Sequence, residues 1–199
     1  MEDEIENRYE RGSEVMKVFI NPGHDFDYDS GAVNPNSGLR ECDVAARVGN
    51  RVKGYLEAAG CEVQLLQSDN LYFDSQYNDR PVAVCGAAND WPADVFVSIH
   101  CNAANTQARG TEVECCSVDC NGGKLAQCIQ SQIVDSLETV DRGVKEMLGL
   151  IVIKHTDMPA CLVEMAFIDN DADAQLLVDQ EDDFARAIAR GITDYECTL

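Results

Sequence analysis

Positive charge is scarce in this 199-residue sequence: Lys and Arg number 15 against 36 Asp and Glu, for a formal net charge of -21. A chain that negative is repelled by phosphate backbones and anionic membrane surfaces, which excludes nucleic-acid binding as the main task. Long apolar runs are also lacking. The strongest, residues 148–153, falls far short of a membrane span, so no membrane insertion is expected. The opening Met1-Glu2-Asp3-Glu4-Ile5-Glu6 is the reverse of a secretory leader, which needs a basic end and then an apolar stretch. The expectation is a soluble chain with no export address in its sequence. Internal repeats and interior low-complexity segments are missing too, and there are only three histidines, His24, His100 and His155.

What is present bounds the fold. Apolar residues make up 45% of the chain, enough for a full core, and the length suits one domain with a short arm. Residues 1–14 carry acids, two arginines and a Gly12-Ser13 break but no apolar periodicity. They read as a disordered acidic arm, a linker or a tag remnant, with the domain proper spanning 15–199. Ten cysteines argue less for a disulfide framework than for reduced thiols packed as small core residues, because the chain is long enough to stand without staples. Cys115-Cys116-x3-Cys120, with Cys128 beyond, is the exception: a disulfide there stays open. A metal is not expected, since the paired C-x2-C spacing of a structural zinc site is missing.

Along the chain, 15–20 reads as a strand and Asn21-Pro22-Gly23 as a turn. Residues 39–59 carry Val44, Val48, Val52, Tyr55 and Leu56 at helical spacing, closed by Gly60, with Gly38 as N-cap. Strands follow at 62–66, 95–99, 111–116, 151–154 and 160–165. Helices follow at 81–89, 124–137 and 183–195. Strands alternating with helices predict a single-domain α/β fold, a twisted and largely parallel (mixed) sheet flanked by helices on both faces. The acid-rich run 169–196 reads as a solvated face. The polar loop 25–38 and the segment 69–78, with Tyr72, Phe73 and Tyr77, are read either as walls of a substrate groove or as covers of the core.

Two of the histidines follow apolar strands directly: His24 in Pro22-Gly23-His24, and His100 after Val95-Phe96-Val97-Ser98-Ile99. Glu164 ends the otherwise apolar Pro159-Ala160-Cys161-Leu162-Val163-Glu164, and Glu41 stands at the start of the first helix. In open α/β sheets ligands bind outside the carboxyl ends of strands, so these groups converge on one edge. Two imidazoles and a carboxylate form a usual catalytic zinc set with a fourth position open for water. Singly, each has a structural reading: a hydrogen-bonded histidine, a helix-start acid favoured by the dipole, a buried acid paired with arginine. Spacing by itself leaves both readings open.

Four words then occur in order: Phe19-Ile20-Asn21-Pro22-Gly23-His24, Ser37-Gly38-Leu39-Arg40-Glu41, Ser98-Ile99-His100-Cys101-Asn102-Ala103, and Pro159-Ala160-Cys161-Leu162-Val163-Glu164-Met165-Ala166-Phe167-Ile168-Asp169-Asn170. Arg80 with Ala88-Asn89, Ala93-Asp94, Gly110-Thr111-Glu112-Val113 and Asp141-Arg142-Gly143-Val144-Lys145 support them. Over about residues 16–197 the chain resembles the zinc-dependent N-acetylmuramoyl-L-alanine amidases of the Amidase_3 type. That resemblance implies one zinc ion held by His24, Glu41 and His100, with Glu164 as the catalytic acid/base. It also implies a bacterial or phage enzyme, autolysin or endolysin, cleaving the amide between the lactyl group of N-acetylmuramic acid and L-alanine of peptidoglycan. His155, in the loop before Pro159, is a candidate for oxyanion support or a surface loop residue. Asn21 stands where the family usually has Asp, which leaves open whether an outer carboxylate orients His24. Asp25, Cys101 and Met165-Ala166 are further departures, and none removes a ligand.

The alternatives are a module that binds peptidoglycan without cutting it, a zinc peptidase or amidohydrolase of other specificity, and a metal-free structural protein. Action on the cell wall, outside the cytoplasm, is expected. The chain would then be a domain of a longer secreted protein or a lysin released by a separate pore protein, with a separate wall-binding domain as a conceivable partner.

Overall fold

A computed structural model describes residues 15–72 and 77–199. The expected acidic arm 1–14 lies outside the described residues, as does Phe73. The first strand, β1 (Lys17–Pro22), is buried along nearly its whole length, as a strand covered on both faces must be. After a polar loop come α1 (Glu41–Ala58), β2 (Glu62–Leu65), α2 (Val84–Asp90), β3 (Val95–Asn102) and β4 (Thr111–Cys115). Then follow α3 (Asn121–Leu137), β5 (Asp141–Glu146), the single-turn α4 (Ile151–Lys154), β6 (Ala160–Phe167), α5 (Asp171–Asp179) and α6 (Glu181–Glu196). All six strands join in one sheet of order β2-β1-β3-β6-β4-β5. The first four run parallel, β4 is antiparallel to β6, and β5 is parallel to β4. This is the expected single-domain mixed sheet between helical layers.

Alternation along the strands sends side chains to two unequal covers. Val18, Ile20, Val97, Ile99, Cys161 and Val163 face a large core shared with the long helices α1, α3 and α6. Phe19, Phe96 and Leu162 face the other way, toward Val84, Cys85 and Ala88 of α2 and Val152 and Ile153 of α4. Phe19 and Phe96 stack there with centroids 5.7 Å apart. This second cover is built from short helices. Beyond Phe96 and Leu162 the same face turns polar: Ser98 Oγ donates to Asn21 Oδ1 at 2.8 Å. Next along it come His100, Glu164 and Glu112, in register across β3, β6 and β4.

Several expectations are corrected. Residues 151–153 are β-branched and apolar, yet 151–154 form α4, because Ile153 and Lys154 both donate to Leu150 O and His155 donates to Ile151 O. The strand β5 has no strand signature in the sequence because it is an edge strand whose residues are exposed or half-buried, with no apolar alternation. Helix α5 was likewise unexpected. The N-cap of α1 is Arg40, not Gly38, and its side chain makes no capping hydrogen bond. Loop carbonyls replace it: Ala32 O accepts from Glu41 N at 2.9 Å and Ser30 O from Cys42 N at 3.1 Å. The cysteines are free thiols, six of them buried.

The acid-rich C-terminal run is more than a solvated face. Asp173 is only 2% exposed. It accepts from Arg109 Nε at 2.8 Å, Gly110 N at 2.9 Å and Phe167 N at 3.1 Å. Glu181 receives Arg47 and Arg51 of α1, and Asp182 receives Tyr55 Oη at 2.8 Å. Thus α5 and α6 are fastened to the sheet and to α1 by carboxylates as well as by packing. Asp173→Ala strands two buried backbone donors and is expected to lower unfolding stability by about 2–3 kcal/mol. Urea denaturation measures this, and a loss below about 0.5 kcal/mol would show those bonds to be dispensable.

Candidate metal centre and active site

The loop after β1 places His24 where a side chain rarely goes. Its φ is +64°, the left-handed region that residues with a side chain seldom enter, His being among the more tolerant. The loop holds it there. Asp25 N donates to Asp29 O at 2.7 Å, and Asp29 Oδ1 accepts from Gly31 N at 3.0 Å. The Asp29 carboxylate meets His24 Nδ1 at 2.8 Å, so His24 presents Nε2 inward, 3.0 Å from Glu41 Oε2.

Glu41 occupies the first turn of α1 and is 3% exposed. Its Oε2 accepts from Ala32 N at 2.8 Å, and its Oε1 accepts from Cys101 N at 2.9 Å. His100 Nδ1 lies 2.9 Å from the same Oε1. One carboxylate is thus clamped between two imidazoles whose rings meet edge-on, with centroids 4.9 Å apart. The donor atoms of His24, Glu41 and His100 all fall within 4.8 Å of one another. Two glycines make the room. A Cβ on Gly23 would run into the His100 ring, and one on Gly31 into His24 and Glu41.

Glu164 stands beside His100 on the neighbouring strand, with Glu112 on its other side. Its Oε2 is buried and finds no hydrogen-bond partner among the described residues. Burial first, then the charges of Glu41, Glu114 and Glu112, lift its pKa well above the usual carboxylate range. Glu112 is engaged: it accepts from Asn102 Nδ2 at 2.7 Å and from Arg142 Nε at 2.9 Å. Burial opposes ionisation of Glu41 too, but there the hydrogen bonds and charges of His100 and His24 win and depress its pKa. Burial likewise works against a charged His24, yet Glu41 and Asp29 outweigh it and raise the imidazole from 6.5 to about 9.

The structure therefore brings His24, Glu41 and His100 into one cluster, with Glu164 next to it on the sheet. His155 is not part of that cluster. It caps α4, its ring stacks on Tyr72 at 4.0 Å, and its carbonyl accepts from Asn89 Nδ2 at 3.0 Å. Tyr28 and Tyr77 both flank Arg80, at 3.6 and 4.5 Å from its guanidinium carbon. Asp29 and the Glu112–Arg142 pair went unassigned in the sequence. The first is one of several acids in a polar loop, and the members of the second stand in two supporting words, Gly110-Thr111-Glu112-Val113 and Asp141-Arg142-Gly143-Val144-Lys145, with nothing in the sequence to pair them. The open question at Asn21 also resolves. Its Nδ2 donates to Leu66 O at 2.9 Å, so it ties β1 to the chain after β2, and Asp29 is the carboxylate that orients His24.

Comparison with known proteins gives a consistent picture. The family model described as N-acetylmuramoyl-L-alanine amidase matches residues 18–194. YqiI of Bacillus subtilis strain 168, an uncharacterized protein, is 39% identical over 186 residues, covering 92% of this chain and 85% of YqiI. The N-acetylmuramoyl-L-alanine amidase LytC of the same strain is 36% identical over 183 residues. That stretch is 89% of this chain but 35% of LytC, so the chain spans only part of that relative. Among solved structures, N-acetylmuramoyl-L-alanine amidase AmiC2 of Nostoc punctiforme shares the fold with a TM-score of 0.79 at 29% identity, covering 92% of this chain and 97% of its own.

The clamp makes a pH prediction for the metal-free protein. Because the folded state raises His24 from 6.5 to about 9, its contribution to stability is complete below about pH 6.5 and is lost as pH rises through about 9. The stability gap between metal-free wild type and His24→Ala should therefore shrink between pH 6 and 10. Thermal melts of EDTA-treated protein read it, and a gap independent of pH would refute the clamp.

Proposed function

The chain belongs to the N-acetylmuramoyl-L-alanine amidase family, and from that premise we propose that it is a zinc-dependent peptidoglycan amidase. The bond cleaved is the amide between the lactyl carbonyl of N-acetylmuramic acid and the nitrogen of L-alanine. The observation that carries this reading is the buried Glu41 carboxylate between two imidazoles, with an unpaired acid, Glu164, on the adjoining strand. Two imidazoles and one carboxylate, with one imidazole backed by Asp29, are the donors and the outer support that catalytic zinc sites use. His24, Glu41 and His100 would hold the ion, and the glycine-made space around them suits it.

Zinc, when bound, supplies Lewis acidity toward the carbonyl and the attacking water, and a positive charge that favours the ionised form of Glu164. The protein's own residues do the rest. Glu41 is fixed between both imidazoles by the backbone N–H groups of Ala32 and Cys101. Glu164 takes a proton from the water as its oxygen bonds to the lactyl carbon. It then delivers that proton to the L-alanine nitrogen as the carbon–nitrogen bond breaks, so the amine leaves neutral. Glu112, held by Asn102 and Arg142, lies beside Glu164, and its carboxylate favours the protonated form of Glu164 between these two transfers. The place of action is the cell wall, where the substrate is, and among the described residues no helix is long and apolar enough to cross a membrane.

Digestion of purified peptidoglycan, with products identified by mass spectrometry, tests the reading. Free stem peptides beginning with L-alanine are expected, and chelation should abolish them. Glu164→Ala should slow release by about 10²–10⁴-fold while metal analysis still finds zinc bound. Intact peptidoglycan with zinc-loaded wild type would overturn the substrate, and an active Glu164→Ala would overturn the role of that residue. The reading leaves His155 out of the chemistry, since its contacts are with Tyr72, Asn89 and α4. His155→Ala should stay within about a factor of ten of wild type, whereas loss of an oxyanion donor would cost about 10²–10³-fold.

A further inference from the structure

At the end of β4 away from the clamp, the chain turns through Cys116-Ser117-Val118-Asp119 and enters α3 with Cys120 as N-cap. That turn sets Cys116 Sγ 2.7 Å from Cys120 Sγ, less than an ångström beyond the ~2.05 Å of a disulfide bond. The surroundings hold it in this shape. Ser117 Oγ and Val118 N both donate to Glu146 Oε1 at 2.9 Å. A Cβ on Gly123 would run into the carbonyls of Ser117 and Val118, so the turn lies directly on the first turn of the helix. Both sulfurs belong to half-buried residues. They open on a cavity of about 260 Å³ walled by Asn121, Ile153, Met158 and Pro159.

We propose that Cys116 and Cys120 are a thiol–disulfide pair, a modification site that takes a small-molecule disulfide of the glutathione type as its oxidant. Cys120 is the attacking thiol. It stands at the N-cap of the 17-residue α3, where the helix dipole favours a thiolate, and as a thiol its Sγ donates to Ser117 O at 3.0 Å. Burial alone would disfavour that anion, but the Cys116 thiol and backbone groups of Gly123, Ser117 and Gly122 hold the Cys120 pKa below that of an ordinary thiol. The hydrogen bond to Cys120, then burial, push Cys116 the other way.

In the first step the Cys120 thiolate attacks one sulfur of the oxidant, whose S–S bond breaks and releases one small thiolate. In the second step the Cys116 sulfur gives up its proton and attacks Cys120 Sγ, breaking the mixed disulfide and releasing the second small thiolate. Two cysteine thiols are oxidised, and one disulfide is reduced to two thiols. The bond closes a short ring that locks β4 to α3. It stands apart from the clamp: Cys115 faces Cys161 across β4 and β6, while Glu112 faces Glu164 three residues along.

The test is oxidation of the fully reduced protein in glutathione mixtures of increasing oxidising strength, followed by acid trapping, unfolding, alkylation and peptide mass mapping. Cys116 and Cys120 should lose alkylation together, in a peptide two hydrogens lighter, while Cys115 in the same peptide stays alkylated. In Cys116→Ser, Cys120 should accumulate as a lasting mixed disulfide with glutathione. In Cys120→Ser, Cys116 should be captured about tenfold more slowly than Cys120 is in Cys116→Ser. The proposal is overturned if both cysteines remain alkylatable under mixtures that fully modify the exposed Cys197. It is equally overturned if Cys116 proves the faster of the two.

Discussion

The site depends on one buried carboxylate. Taking Glu41 out of water is costly for an anion unless every lone pair is met, and here every direction is met. Backbone N–H groups of Ala32 and Cys101 donate to its two oxygens, and the imidazoles of His24 and His100 close on them from opposite sides. Those four partners come from the loop after β1 (His24, Ala32) and from β3 (His100, Cys101), while Glu41 itself stands on α1. The carboxylate therefore fixes the positions of three chain segments at once. In the metal-free protein His24 retains a proton near neutral pH, and a dication held as proposed would displace that proton. Binding and proton release are one event.

The rest of the fold explains why this clamp opens to solvent on one side. Three long helices seal one face of the sheet with a continuous apolar core. Among the described residues the helices on the other face are α2 and the single turn α4, and their apolar cluster reaches no further along it than Phe96 and Leu162. What lies beyond is a row of ionisable groups on three neighbouring strands, His100, Glu164 and Glu112. Glu164 sits buried in the middle of that row, with the charges of Glu41, Glu114 and Glu112 around it, which is why its pKa rises while that of Glu41 falls. Two carboxylates of one site thus acquire opposite tendencies from their surroundings, as the proposed roles of metal ligand and proton carrier require.

Much of this was legible in the sequence, for identifiable reasons. The sheet's inner strands are short apolar runs, and a lone His or Glu ending such a run marks a change of environment. His24, His100 and Glu164 stood out in that way, and Glu41 by its place at a helix start. Other features had no local signature. The edge strand β5 carries Asp141, Arg142, Lys145 and Glu146 and looks like loop. Ile151-Val152-Ile153 has strand-like side chains, yet its capping geometry makes a helical turn that buries Val152 and Ile153. Asp29 is one acid among several in a polar loop, and only the folded turn shows that it carries His24. Asp173 and Glu181 read as surface charge because their partners, Gly110 N, Arg109, Arg47 and Arg51, lie some sixty or more than a hundred residues away.

The central claim is that the Glu41 clamp is a zinc centre. The most direct measurement is anomalous diffraction at the zinc edge from crystals of the zinc-loaded protein. The account predicts one strong peak bonded to His24, Glu41 and His100, with Glu164 near it but not ligating. A peak at Cys116 and Cys120 instead, or no peak beside Glu41 at full zinc loading, would contradict it.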